Sequence, residues 1–105
     1  MIYMEIDKTA IPYEFEMDIA GEDFTFAIDY NQRFDFFTMD LYKGDTLIIK
    51  GEKLIYGRGL FGAYPDETMI PQHPIVPFDE AGKETRVGWD QLEETVFLFI
   101  GDPDE

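Results

Sequence analysis

Apolar and polar residues alternate with a period of two over much of the first half of this sequence. Every second residue of segment 13–19 is apolar, and the residues between are Glu or Asp. Segment 24–30 repeats the alternation after Ala20-Gly21-Glu22, and segment 34–42 carries one apolar and one mixed face. A period of two places successive side chains on opposite faces of a β-strand. These segments are therefore predicted to be strands with one buried face, the first two joined as an antiparallel hairpin.

The strand pattern continues to residue 60, with glycines at the connections. Lys43-Gly44-Asp45 and Gly51-Glu52-Lys53 are interpreted as tight turns, because glycine reaches the positive φ values that such turns need. Strands are predicted between the two turns at 46–50 and after them at 54–56, so that residues 24–60 hold four short strands. Gly57-Arg58-Gly59 then breaks the alternation, which is typical of a bulge and not of a phosphate loop, since nothing helical follows.

The two ends of the chain complete the predicted sheet. Residues 1–10 begin with the same alternation and are interpreted as a first strand or an extended N-terminal arm. Residues 96–100 form a continuous apolar run, which favours a strand that is buried on both faces or that closes a barrel. Before this run, Asp90 and Glu93 have the spacing that caps one helical turn. Six or seven strands with almost no helix predict an all-β fold, a small antiparallel β-barrel or sandwich.

Segment 62–88 interrupts the strand pattern and predicts one long Pro-rich loop. Its prolines exclude a long helix and disfavour a central strand, because proline lacks the N–H donor. The segment also contains apolar side chains, which predicts that it packs onto the sheet or onto a partner. Six of its residues are the candidate interface side chains: Tyr64, Met69, Ile70, His73, Ile75 and Phe78.

Composition predicts one folded β-domain over residues 1–105, ending in an acidic tail at 101–105. With 45% hydrophobic and 16% aromatic residues, the chain can form a core and lacks the signature of disorder. It has no cysteine, which excludes disulfides and thiolate metal sites. It also lacks a basic leader or an apolar run of membrane-spanning length, so we expect a soluble protein with no membrane partner.

The charge of the chain restricts its partners. Its formal net charge is -15, from 23 acidic and 8 basic residues. Such a charge repels phosphate backbones, so direct nucleic-acid binding is not expected. A solvated surface accounts for the acidity, while a basic protein partner or a DNA-mimic role stays open.

No constellation of catalytic or metal-binding residues is visible, so we expect no enzyme activity, no cofactor and no metal. His73 is the only histidine and has no second ligand for a transition metal. Asp66-Glu67 and Asp79-Glu80 offer oxygen ligands without the spacing of a known calcium loop. The aromatic content leaves sugar stacking open, although core packing is the commoner use of such rings. Four tyrosines are the candidates for exposed or interface rings: Tyr3, Tyr42, Tyr56 and Tyr64.

A series of short landmarks runs along residues 11–100. The landmarks are Ile11-Pro12-Tyr13, Tyr30-Asn31, Thr38-Met39-Asp40-Leu41-Tyr42 followed by Gly44, the run from Leu47 to Gly57, and the apolar strand at 96–100. In order and spacing this series resembles the small baseplate plug proteins of tailed bacteriophages and phage-like contractile particles. Two features depart from that pattern: Phe37 stands where relatives commonly have tryptophan, and the acidity is greater than the family requires.

The resemblance implies a noncatalytic structural component of a phage or prophage-derived tail, assembled in the host cytoplasm and located in the virion baseplate. It implies a hub-associated plug that contacts hub and tail-tube proteins near the tail axis, where cyclic symmetry favours a homo-oligomer. Asn31, Asp40, Gly44 and Gly51 carry over only as fold-defining turn and strand positions. Two alternatives stay open: a carbohydrate- or receptor-binding β-module of the tail tip, and an acidic inhibitor that imitates DNA.

Overall fold

The fold is an open sandwich of two antiparallel sheets. The structure, a computed structural model, describes residues 2–101. Its seven strands are β1 (Ile2–Met4), β2 (Tyr13–Ile19), β3 (Glu22–Asn31), β4 (Phe36–Lys43), β5 (Thr46–Lys53), β6 (Ile75–Phe78) and β7 (Phe97–Ile100). One sheet has the order β2-β3-β4-β5 and the other the order β1-β7-β6. Among these strands none pairs across the two sheets, so the all-β prediction is confirmed as a sandwich and the closed-barrel alternative is wrong.

The β2–β3 hairpin follows directly from the local sequence. Ala20 and Gly21 have φ values of 56° and 83°, and the strands pair from Ile19 opposite Glu22 to Tyr13 opposite Ile28. Positive φ at both central residues matches the right-handed twist of the flanking strands, and glycine adopts it without steric cost. The predicted strand at 13–19 and its hairpin are confirmed.

Strand β5 is longer than the sequence pattern predicts. It runs through Gly51 to Lys53, so the predicted turn at Gly51-Glu52-Lys53 and the separate strand at 54–56 are wrong. Gly51 has a φ of 73° inside the strand, and its N–H donates to Asp40 Oδ1 at 2.7 Å. The register between β4 and β5 shifts nearby. The positive φ thus belongs to a bulge that a carboxylate of the neighbouring strand stabilises.

Segment 62–88 is largely irregular, as predicted, but it also contains β6 and a short 3-10 helix at Glu67–Met69. Strand β6 tolerates Pro77 because it lies at the edge of its sheet. Segment 57–60 covers that edge: Gly57 N donates to Pro77 O at 2.8 Å, and Leu60 N donates to Ile75 O at 2.9 Å.

A compact turn connects the irregular segment to β7. The predicted cap at Asp90 is wrong, because the turn begins at Gly88, whose carbonyl accepts from Gln91 N and Leu92 N at 3.1 and 3.0 Å. Gln91 Oε1 accepts from Gly88 N at 3.0 Å. A capping box that began at Asp90 would give this role to the side chain of Glu93. Glu93 instead has a φ of 68° and donates its N–H to Val96 O.

The core lies between the two sheets and is rich in phenylalanine. Its largest fully buried side chains include Phe24, Phe26, Phe37 and Phe61, which are 0–1% exposed. Strands β6 and β7 contribute Ile75 and Leu98 from the opposite sheet, also 0–1% exposed. No helix among residues 2–101 has the length and apolarity to cross a membrane. Of the predicted acidic tail, residues 102–105 lie outside the described part of the chain.

Candidate interaction surfaces

The outer face of the three-stranded sheet is apolar throughout. In β7, Leu98 and Ile100 belong to the core, so Phe97 and Phe99 point to the opposite face. The register brings Tyr3 and Val76 to either side of Phe99, and Phe78 opposite Phe97. None of the three strands contains a charged residue. We call this set of five side chains the aromatic face: Tyr3, Val76, Phe78, Phe97 and Phe99.

The rings of the aromatic face contact one another. The Tyr3 ring lies 4.9 Å from that of Phe97 and 6.2 Å from that of Phe99, both edge to face. Phe78 stacks on Tyr56 at 5.6 Å at the border of the face. Phe99 is only 7% exposed although it does not belong to the core between the sheets, so its neighbours on the outer surface cover it.

The aromatic face remains open to solvent at its margins. Phe78 is 44% exposed and Tyr3 is 38% exposed. Contiguous apolar patches of this kind on a small protein mark contact surfaces for other macromolecules, because their burial is favourable and their exposure promotes association. This face is the candidate interaction surface.

The structure separates the six predicted interface residues. Phe78 lies on the aromatic face, whereas Ile75 is 1% exposed and belongs to the core. The other four are half-buried in segment 62–88: Tyr64, Met69, Ile70 and His73. Tyr3 and Tyr56 are among the rings predicted to be exposed or at an interface. Phe97 and Phe99 were not predicted, because a continuous apolar run does not reveal which face the second sheet covers.

The outer face of the four-stranded sheet has the opposite character. Glu14, Glu16 and Asp18 point outward from β2, and Asp23 and Asp29 do so from β3. Asp18 lies directly opposite Asp23. Carboxylates paired in this way repel one another, so this acidic surface favours ions or basic groups over a second acidic surface.

The β4–β5 side of the same face carries counter-charges and apolar residues. Lys50 Nζ lies 3.3 Å from Asp40 Oδ2. The ion pair of Lys43 with Glu22 belongs instead to the core-facing side of the sheet, where Lys43 Nζ lies 5.8 Å from the ring of the buried Phe24. Tyr42 pairs with Leu47, which is 44% exposed. The carboxylates that point outward from β2 and β3 therefore form no salt bridge among residues 2–101.

The predicted fold-defining residues lie at connections and at the bulge. Asn31 Oδ1 accepts from Phe34 N at 3.1 Å and so holds the β3–β4 turn. Gly44 has a φ of 60° in the turn between β4 and β5. Asp40 and Gly51 form the bulge contact described above.

Asp35 is the centre of a polar cluster at the end of the β3–β4 hairpin. Its Oδ1 accepts from Tyr30 OH at 2.6 Å and from Trp89 N at 2.8 Å, and its Oδ2 pairs with Arg86. The hydrogen bond from Tyr30 lowers the pKa of Asp35, helped by Trp89 N and Arg86, and it raises the pKa of Tyr30 to about 12. The cluster fixes segment 86–89 against the hairpin.

Trp89 is held within this cluster. Its ring lies 4.9 Å from Tyr30 and 6.1 Å from Phe37. Lys8 Nζ lies 5.3 Å from the ring centre and donates to Trp89 O at 2.7 Å. Although Trp89 is 37% exposed, its ring already contacts two other rings and an ammonium group.

Two of the loop carboxylates that offer oxygen ligands, Asp66 and Asp79, accept hydrogen bonds from their own loops. Asp66 Oδ1 accepts from Thr68 N and Thr68 Oγ1, and the side-chain bond is the main cause of its lowered pKa. Asp79 accepts from three backbone N–H groups, and although burial raises its pKa, these bonds together lower it. Within residues 2–101, no group of three or more His, Asp or Glu side chains could hold a metal ion.

Comparison with known proteins identifies one related family. A family model described as "Cyanophage baseplate Pam3 plug gp18" matches residues 1–103. Searches among curated proteins and among solved structures found no significant match.

Proposed function

The chain belongs to the cyanophage baseplate plug family, since that model matches nearly its whole length, and we propose that it is a noncatalytic structural component of a phage or prophage-derived tail baseplate. In this proposal the protein is a hub-associated plug that contacts hub and tail-tube proteins near the tail axis. It reaches its place in the virion by assembly in the host cytoplasm, with residues 1–105 acting as one domain. Copies around the axis form a homo-oligomer by cyclic symmetry.

The aromatic face is the single observation that carries the proposal. A plug needs a surface that binds neighbouring proteins, and aromatic residues at the centre of an interface supply most of its binding energy. Phe78 and Tyr3 are the exposed rings of this face, and Phe97 lies between them. We assign this face to the contact with the hub or the tail tube.

The test compares two exposed phenylalanines. Phe78→Ser removes the exposed ring of the aromatic face, and Phe34→Ser removes a ring that is 67% exposed in the β3–β4 turn. Phages that lack the gene are complemented with wild-type or variant protein, and the amount of the chain in purified tails is measured by quantitative mass spectrometry. We expect Phe78→Ser to reduce incorporation about tenfold or more, which is the range of an interface hot spot. We expect Phe34→Ser to be incorporated like wild type.

Two outcomes would overturn the proposal. If the baseplates of purified tails lack the chain altogether, the proposed structural role is wrong. If Phe78→Ser and wild type are incorporated equally, the aromatic face does not form the contact. Thermal unfolding of both purified variants separates lost binding from lost folding.

A further inference from the structure

The geometry points to a second binding surface: the outer edge of β2 accepts an extended segment of a partner protein, which adds a fifth strand to the four-stranded sheet. The segment that fits alternates apolar residues with lysine or arginine. This inference is independent of the aromatic face, which lies on the other sheet.

The backbone of β2 offers unpaired groups along its outer edge. Strand β2 is seven residues long and pairs only with β3, without a register shift. In a two-residue hairpin, the flanking pair Ile19 and Glu22 is hydrogen-bonded, and such pairs alternate along the ladder. The N–H and C=O groups of Glu14, Glu16 and Asp18 therefore point away from β3. No other backbone group in residues 2–101 bonds to this edge.

The apolar side of β2 is incompletely covered. Tyr13, Phe15 and Met17 point toward the core but are only half-buried, whereas their pairing partners on β3 are 0–1% exposed. Those partners are Ile28, Phe26 and Phe24. A strand added beside β2 would place its own apolar side chains next to these three residues and complete the cover, as in β-strand addition.

The outward side of β2 selects the polar residues of the incoming segment. Glu14, Glu16 and Asp18 alternate with the apolar residues and form no salt bridge within residues 2–101. Opposite charges directly across a ladder stabilise the pairing, and like charges destabilise it. A lysine- or arginine-bearing segment therefore fits, whereas a second copy of this chain would place carboxylates against carboxylates.

The remaining edges fit a partner strand less well. Segment 57–60 covers the edge of β6. Strand β5 contains the Gly51 bulge, and bulges twist an edge away from regular pairing. Strand β1 has only three residues. Strand β2 is therefore the edge strand that is both long and regularly paired.

The experiment uses the purified full-length protein and a fluorescent seven-residue peptide of alternating lysine and valine, blocked at both ends. Binding is measured by fluorescence anisotropy, and amide exchange of β2 is followed by NMR. Glu16→Pro removes an outward N–H without removing a bond to β3, and proline is tolerated at such edge positions. Glu16→Gln is the matched control, because it loses the same charge but keeps the N–H.

We expect the peptide to slow amide exchange at positions 14, 16 and 18. Glu16→Pro should weaken binding about tenfold or more, since it removes one hydrogen bond and blocks the ladder, and Glu16→Gln should weaken it only about two- to fivefold. A peptide with alternate N-methylated residues, which has the same charge but cannot pair, tests the same point on the wild-type protein.

Any of three results would refute strand addition. The N-methylated peptide could bind as tightly as the unmodified one, or Glu16→Pro could bind like Glu16→Gln while remaining folded by circular dichroism. Either result would show that charge attraction alone accounts for the binding. Absence of binding at millimolar peptide would mean that the carboxylates only protect this edge from pairing.

Discussion

Substituting Gly88 by alanine tests whether the Asp35 cluster stabilises the fold. A Cβ at this position would lie closer than 3.0 Å to Asp35 Oδ2, Gln91 Oε1 and Arg86 Nη2. Asp35 is restrained, because its other oxygen accepts from Tyr30 and Trp89. The added methyl group must therefore displace the carboxylate from its donors.

The expected change in the free energy of unfolding combines two unfavourable contributions and one favourable contribution. Overpacking a tight site costs typically 1–3 kcal/mol, or about 2 kcal/mol here, and each weakened hydrogen bond costs about 1 kcal/mol. Reduced backbone entropy of the unfolded chain offsets roughly 0.4–1 kcal/mol. We expect Gly88→Ala to lower the free energy of unfolding by about 1–3 kcal/mol and the Tm by roughly 5–20 °C. Gly59→Ala is the control, since nothing lies within 4 Å of its Cβ position, and it should be neutral or slightly stabilising.

Urea denaturation followed by tryptophan fluorescence measures both variants. The chain has a single tryptophan, Trp89, which lies in the cluster and reports its local environment directly. Asp35→Ala in the Gly88→Ala background supplies a double-mutant cycle, in which removing the clashing carboxylate should make the two costs less than additive. Equal stability of Gly88→Ala and Gly59→Ala, or strict additivity in the cycle, would refute the reasoning.

Three further predictions concern charge and packing. Burial raises the pKa of Glu93 despite the N–H donated by Ile6, so the contribution of Glu93 to stability is present below its unfolded pKa and is lost as pH rises through the higher folded pKa. Glu93→Gln should therefore gain stability relative to wild type in urea titrations from pH 4.5 to 8, and a constant difference would contradict this. The lowered pKa of Asp79 has the opposite sign: its contribution is present above about pH 4 and is lost as pH falls through the folded pKa. Asp79→Asn should be destabilised at pH 7, with a deficit that shrinks below pH 4 in the same assay; a deficit that persists would show that the charge is not responsible. Phe26→Ala should lower the free energy of unfolding by about 3–5 kcal/mol, because the ring is fully buried against Phe15 and Phe61. Phe78→Ala should change it by no more than about 1 kcal/mol. Similar denaturation midpoints for the two variants would show that the core assignment is wrong.

Local sequence patterns correctly predicted the elements that depend only on residues close together in the chain. Strand β2 and its hairpin were predicted correctly because the period of two and the Ala20-Gly21 turn are both contained in one short segment. The predicted turn at Gly51 was wrong because glycine with a positive φ occurs both in tight turns and in bulges. The choice between them depends on Asp40, which lies on another strand. The turn before β7 was misplaced for a similar reason, since Gln91 and Glu93 offer the same type of side-chain acceptor.

The candidate surface was predictable only in part. Phe78 was among the predicted interface residues, but so was Ile75, and the two differ only in which side of β6 they occupy. The run 96–100 contains no polar residue to mark an outer face. The position of the four-stranded sheet decides which of its side chains face the core.

The sequence by itself determined the strand content, the acidic character of β2, the absence of cysteine chemistry and, through the order of its landmarks, the family to which the chain belongs. These properties depend on composition, on a period of two and on short motifs. Only the tertiary structure decided that the sheets remain open as a sandwich, that β5 continues through Gly51, and that an aromatic face lies opposite an acidic one. Each of these depends on pairing between residues far apart in the chain, and the alternation of side chains specifies two faces without specifying which partner covers them.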